Sequence, residues 1–136
     1  MAVIVDSNVL IDIFTKDKIW YEWSSAQLER LVETDILIIN PIIYSEVSVG
    51  FTNIEGLEEF LPTDIFIREN LPWEAAFLAG KCHLNYRKNS GVKTSPLPDF
   101  YIGAHAAVTG RILLTRDYRR YHGYFPKLKI ISPVAN

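Results

Sequence analysis

Apolar positions along the chain follow two periods. Ala2 to Val5 and Ile36 to Ile39 are short unbroken apolar runs, the pattern of strands buried on both faces of a parallel sheet. Between them, Val9, Leu10, Ile13 and Phe14 recur at helical spacing, and Trp20, Trp23, Leu28, Leu31 and Val32 mark a second helix. Asp6, Ser7 or Asn8 supplies the cap of the first. Asn40-Pro41 closes the second strand, and Pro41 suits the first turn of a third helix running to about Phe51. Ile54, Leu57, Phe60 and Leu61 predict a short helix that stops at Pro62, and Asp64 to Arg68 a short strand. Pro72 opens a helix on which Trp73, Phe77, Gly80 and Leu84 form an apolar stripe. Asn89 to Pro98 has loop composition, and Asp99 to Thr109 is a helix rich in small residues. Ile112 to Leu114 predicts a strand, Asp117 to Tyr124 a helix or turn, and Leu128 to Ile131 a last strand.

Strands that alternate with helices in this way imply right-handed crossovers and an α/β fold, with a mainly parallel sheet flanked by helices. Ligands of such sheets bind beyond the carboxyl ends of the strands. Asp6 ends the first strand and Asp117 follows the Ile112–Leu114 strand, so both point to one rim.

Length and composition narrow the class. A chain of 136 residues, 49% hydrophobic, suits a single domain over 1–136 with one core. Its apolar runs fall far short of the ~20 residues of a membrane span, so no membrane partner is expected. Residues 1–20 carry three aspartates and lack the layout of a signal peptide, and Cys82 is the only cysteine; a cytoplasmic location is expected.

The net charge of −2 conceals a strong asymmetry. Residues 1–79 hold 14 acidic and 4 basic groups, whereas residues 80–136 hold 2 acidic and 10 basic groups. A swing of this size is read either as ordinary solvated surface or as a polyanion-binding face in the second half. Arg116, Arg119, Arg120 and Lys93 are the candidates for such contacts.

No dinucleotide or phosphate-loop glycine motif, zinc-protease motif or paired C-x-x-C is present, and His83, His105 and His122 lack ligand spacing. What remains is acidic. Asp6 and Asp99 have the positions of helix starts, and Asp117 that of a turn residue; each alone is explained by structure. Glu46 shares a helical face with Ile43, Val47 and Gly50, a face expected to meet the sheet, where a carboxylate is costly without a partner. An arginine partner is one solution. A cation shared by several carboxylates is the other, and oxygen ligands alone suit Mg²⁺ or Mn²⁺. A hard cation in an acidic cup beside basic residues suits phosphodiester hydrolysis.

In order along the chain stand Val3-Ile4-Val5-Asp6-Ser7-Asn8-Val9-Leu10-Ile11-Asp12, Ile43-Tyr44-Ser45-Glu46-Val47, Leu97-Pro98-Asp99-Phe100-Tyr101-Ile102-Gly103-Ala104-His105-Ala106 and Leu113-Leu114-Thr115-Arg116-Asp117. With the ending Phe125-Pro126-Lys127-Leu128-Lys129-Ile130-Ile131, they make the sequence resemble a PIN-domain ribonuclease, most nearly the VapC-type toxins, over residues 2 to 132. The resemblance implies a five-stranded parallel sheet in the order 3-2-1-4-5 and a Mg²⁺ or Mn²⁺ site on Asp6, Glu46, Asp99 and Asp117. Asp6 and Asp99 would be the most direct ligands, with Ser7, Asn8 and Thr115 as supporting residues. It implies a type II toxin–antitoxin toxin that cleaves RNA, a VapB-like antitoxin, a homodimer, and DNA contact only through the antitoxin. Trp20, Trp23, Phe51 and Phe60 would serve dimer or antitoxin contacts, or plain core. An RNA-processing nuclease without a toxin role and a non-catalytic co-repressor are the alternatives within the family. Outside it stands a phosphatase with Asp6 as nucleophile, which would require a second aspartate where Asn8 stands.

Overall fold

The computed structural model describes residues 1–93 and 97–133. Residues 94–96, within the expected loop from Asn89 to Pro98, and 134–136 lie outside the described residues. The element order is β1 (Ala2–Val5), α1 (Ser7–Thr15), α2 (Tyr21–Thr34), β2 (Ile36–Ile39), α3 (Pro41–Ser48), α4 (Ile54–Phe60), β3 (Phe66–Arg68), α5 (Trp73–Lys88), α6 (Pro98–Thr109), β4 (Ile112–Leu114), α7 (Tyr118–His122) and β5 (Ile130–Ile131). The five strands form one parallel sheet in the order β3-β2-β1-β4-β5.

The apolar runs become strands because helices cover both faces of the sheet. Val3, Ile4, Val5, Leu37, Ile38 and Ile39 are all buried, so no polar alternation survives in them. Central β1 pairs with β2 through Val3↔Leu37 and with β4 through Val3↔Ile112. Helix α3 starts where Asn40-Pro41 places it: the Asn40 side chain accepts the Ile43 amide at 2.9 Å, and Pro41 occupies the first turn. It ends at Ser48, one turn earlier than its apolar pattern suggests, and backbone turns carry the chain through Gly50 and Phe51.

One expectation reverses. The Trp73, Phe77, Leu84 stripe of α5 faces solvent, with exposures of 88%, 69% and 48%. The buried face is Ala75, Ala79 and Cys82, equally helical in spacing. Small side chains let α5 approach α6 closely, and that packing decides which stripe turns inward. In α6, Gly103 makes room for the ring of Phe125. A Cβ there would come within 2.3 Å of the Phe125 ring, so the ring fills the space the glycine leaves. Gly110 then closes α6 in the left-handed conformation, φ +68°.

A buried polar chain ties α6 to the ends of β2 and β3. Asn40 Nδ2 donates to His105 Nδ1 (2.9 Å), so the ring proton sits on Nε2 and donates to Glu69 Oε1 (2.8 Å). Glu69 Oε2 accepts from Arg111 (2.7 Å). Burial opposes the ionisation of Glu69, yet Arg111 and His105 together hold its carboxyl below the ordinary range.

Candidate functional site

Two adjacent strand ends make the floor of the site. β1 stops at Val5 and its neighbour β4 at Leu114, so Asp6 and Thr115 emerge side by side at the carboxyl edge. The Asp6 amide donates to the Leu114 carbonyl (2.9 Å) and the Thr115 amide to the Ile131 carbonyl (3.0 Å), which extends the ladder past both strands. The chain runs outward from β1 through β2 and β3, then returns on the other side of β1 as β4. Asp6 and Thr115 therefore stand at the topological switch point, where open parallel sheets form their ligand crevice.

Asp6 occupies the N-cap position of α1, but its side chain makes no capping bond. Its Oδ2 instead accepts from Thr115 Oγ1 (2.8 Å), the Tyr121 hydroxyl (2.9 Å) and Asn8 Nδ2 (3.2 Å). The Thr115 hydroxyl in turn accepts from Asn8 Nδ2 and the Asp117 amide, both at 3.1 Å. Each member of this chain is polarised by the next.

The remaining acids come from α3, from α6 and from the residue before α7. Half-buried Glu46 on α3 accepts the Ser7 hydroxyl at Oε1 (2.7 Å), and the same hydroxyl lies 3.4 Å from Asp6 Oδ1. A serine thus takes the position where an arginine partner was an open alternative for Glu46. Asp99, in the first turn of α6, has Oδ1 at 3.3 Å from the Tyr121 hydroxyl and Oδ2 at 3.3 Å from Arg120. Asp117 precedes α7 and lies 3.6 Å from Arg120. Asp6, Glu46 and Asp99 are joined through Ser7 and Tyr121, and Asp117 joins them through Arg120. Among the described residues, no group of three or more His, Cys, Asp or Glu side chains is already disposed to hold a metal ion. In this arrangement Asp99 and Asp117 face the Arg120 guanidinium.

The charge at this edge is under-compensated. Burial pushes the Asp6 carboxyl from 3.8 up to about 6; Thr115 and Tyr121 oppose the rise, and Asp99 and Glu46 add to it. Burial also raises Glu46, against the Ser7 hydrogen bond and with the help of Asp99. Asp99 is raised by burial, with Arg120 and Tyr121 opposing and Asp117 contributing. Carboxylates that resist ionisation chiefly through burial, and in smaller part through one another, fit a divalent cation, which would relieve all of them at once. The donor set holds only carboxylate oxygens, and that suits Mg²⁺ or Mn²⁺.

The basic candidates separate. Arg116 is braced against buried Asp12, its Nε 2.9 Å from Oδ2, with Ser24 on the same carboxylate, and its side chain is 29% exposed. Arg120 lies between Asp99 and Asp117. Arg119 and Lys93 are exposed, and the Lys93 carbonyl accepts from Arg87 (2.8 Å). Sequence reasoning missed Asp12 and Tyr121. The signal for Tyr121 was slight: it stands four residues beyond Asp117, one helical turn, which places it over the same edge.

The PIN domain family matches residues 3–125. The chain belongs to the PIN-domain family. That family is generally one of nucleases, so the PIN fold here carries a hydrolase class acting on nucleic acids. Among solved structures, VapBC2 from Rickettsia felis bound to a promoter DNA fragment is similar at TM-score 0.71 and 16% identity, covering 97% of this chain and 98% of that one. VapBC-1 from nontypeable Haemophilus influenzae gives TM-score 0.70 and 19% identity, over 97% and 98% of the two chains. FitAcB from Neisseria gonorrhoeae gives 0.69 and 19%, over 96% and 97%. Likeness at these identities shows the PIN fold. A search of curated proteins finds no match.

Proposed function

We propose that this PIN domain is a Mg²⁺- or Mn²⁺-dependent RNA endonuclease and the toxin of a type II toxin–antitoxin pair. The observation that carries the reading is the set of mutually repelling carboxylates at the switch point, centred on Asp6, whose carboxyl rises to about 6. Asp6 and Asp99 would hold the ion most directly, with Glu46 and Asp117 completing the acidic cup. When bound, such an ion supplies Lewis-acid activation of water and stabilises charge at the scissile phosphate.

The chain's own residues do the rest. Thr115 and Asn8 keep Asp6 oriented, and Ser7 holds Glu46 at the edge. Arg119 and Lys93 would contact flanking phosphates. Beside Glu46 opens a groove of about 400 Å³ whose apolar lining includes Ile11, Phe14, Val47 and Val49. It suits an apolar antitoxin segment that blocks the acidic edge. VapBC neighbours crystallised with DNA, in one case a fragment of their promoter, support a VapB-like partner and DNA contact through it. The outward Trp73, Phe77 and Leu84 face of α5 supports a homodimer.

Purified chain is expected to cleave RNA with Mg²⁺ and to stop on chelation by EDTA. Asp6→Asn and Asp99→Asn are each expected to abolish cleavage while the circular dichroism spectrum is retained. Cleavage that survives both changes overturns the mechanism. Growth arrest on expression, relieved by the product of a neighbouring gene, separates a toxin from an RNA-processing nuclease.

A further inference from the structure

Tyr121 is completely buried, yet its hydroxyl stands between two acids of the candidate site, 2.9 Å from Asp6 Oδ2 and 3.3 Å from Asp99 Oδ1. A phenol has one proton, so it serves one carboxylate at a time, and the shorter contact assigns it to Asp6. With Thr115 and Asn8, it gives Asp6 Oδ2 three donors. Among the described residues, Asp6 Oδ1 has only the 3.4 Å contact to Ser7, whose hydroxyl is engaged at 2.7 Å by Glu46. One oxygen of Asp6 is therefore saturated, and the other keeps its lone pairs.

We propose that Tyr121 is a positioning residue of the carboxylate centre: its hydroxyl anchors Asp6 by Oδ2, so that Oδ1 is the oxygen presented to the ion. The inference rests on the metal site of the proposed function and adds the residue that orients it. The ring is part of the hydrophobic core, so α7 carries the anchor on a rigid mount. A ligating carboxylate whose second oxygen is held cannot rotate away from its ion, and such outer partners commonly contribute about 10–100-fold in metal affinity. Phenylalanine would fill the same core space and lose only the anchor.

The test is Mn²⁺ binding without RNA, followed by calorimetry and by the electron paramagnetic resonance of free Mn²⁺. Tyr121→Phe is expected to weaken Mn²⁺ binding about 10-fold or more while circular dichroism shows a folded chain. Thr115→Val, which removes another donor from the same oxygen, is expected to weaken it in the same direction. p-Aminophenylalanine at position 121, which retains a donor, is expected to restore affinity. An unchanged Mn²⁺ affinity in Tyr121→Phe, with or without a fall in Tm, overturns the proposal and leaves the nuclease reading standing. Should that variant fail to fold, unchanged affinity in Thr115→Val overturns the anchoring instead. If the unsubstituted chain binds no Mn²⁺, the proposed metal site and this inference both fall.

Discussion

Asp6 is 3% exposed and carries three hydrogen-bond donors on one oxygen, yet its carboxyl still rises from 3.8 to about 6. Desolvation outweighs the hydrogen bonds, so the metal-free fold binds this proton more tightly than the unfolded chain does. Between pH 4 and 6 the native state holds the proton and the unfolded state does not; the Asp6 contribution to stability therefore falls as pH rises through that window. The whole difference amounts to roughly 3 kcal/mol at about 1.4 kcal/mol per pH unit. Chemical denaturation of metal-free Asp6→Asn is expected to lose this fall across the window and to exceed the unsubstituted chain in stability at pH 7. Activity should run the other way: the Asp6 proton competes with the ion, so cleavage is expected to fall at acid pH, with a midpoint that a higher Mg²⁺ concentration moves downward. At this scale Glu46 stood out in the sequence because it breaks an apolar face, whereas Asp6, Asp99 and Asp117 each had a structural explanation and were joined to it by the family resemblance. Tyr121 was not, because a tyrosine in an Arg-Arg-Tyr-His run gives no sign that its hydroxyl is buried.

Elements differ in how well the apolar pattern describes them. Strands β1 and β2 are continuous apolar runs and match their predicted spans, whereas β5 shrinks to Ile130–Ile131. Helix α5 presents two stripes at helical spacing, and hydrophobicity alone favours the larger one. Packing on α6 selects the stripe of small residues, because close approach buries more backbone and Cβ surface than Trp73 would permit. The glycine at 103 works on the same principle: Gly103→Ala is expected to clash with the Phe125 ring and to cost about 1–3 kcal/mol in a denaturant titration. His105 joins α6 to the cap of α3, the helix that carries Glu46. His105→Ala should leave Asn40 and Glu69 without their shared partner and lower stability by about 2–4 kcal/mol, read from the same titration.

For the whole molecule, the charge asymmetry along the sequence is partly cancelled on folding. Arg111 of the basic half pairs with Glu69 of the acidic half, and Arg116 pairs with Asp12. The polyanion face is consequently narrower than the sequence suggests: of the original four, Arg119, Arg120 and Lys93 are exposed, and Arg120 is engaged by Asp99 and Asp117. Arg119→Ala is expected to weaken RNA binding and to reduce the slope of log affinity against log salt by about 0.7, the value for one phosphate contact on a single strand. The outward α5 face belongs to the same scale. Trp73→Lys combined with Phe77→Lys is expected to convert a dimer into a monomer in light scattering after size exclusion; an unchanged mass would remove α5 from the interface.

The sequence by itself determined the alternation of strands and helices, and through the order of its motifs it implied the 3-2-1-4-5 sheet and the four acids. The alternation depends on local periodicity, which a linear reading retains; the sheet order and the set of acids came only with the resemblance of those motifs to the PIN family. Tertiary structure alone decided which α5 stripe is buried, which arginines are paired internally, and that Tyr121 and Thr115 converge on one oxygen of Asp6. These depend on pairs outside any local period, from Arg111 with Glu69 at 42 residues to Asp6 with Tyr121 at 115, and spacing along the chain carries no record of them.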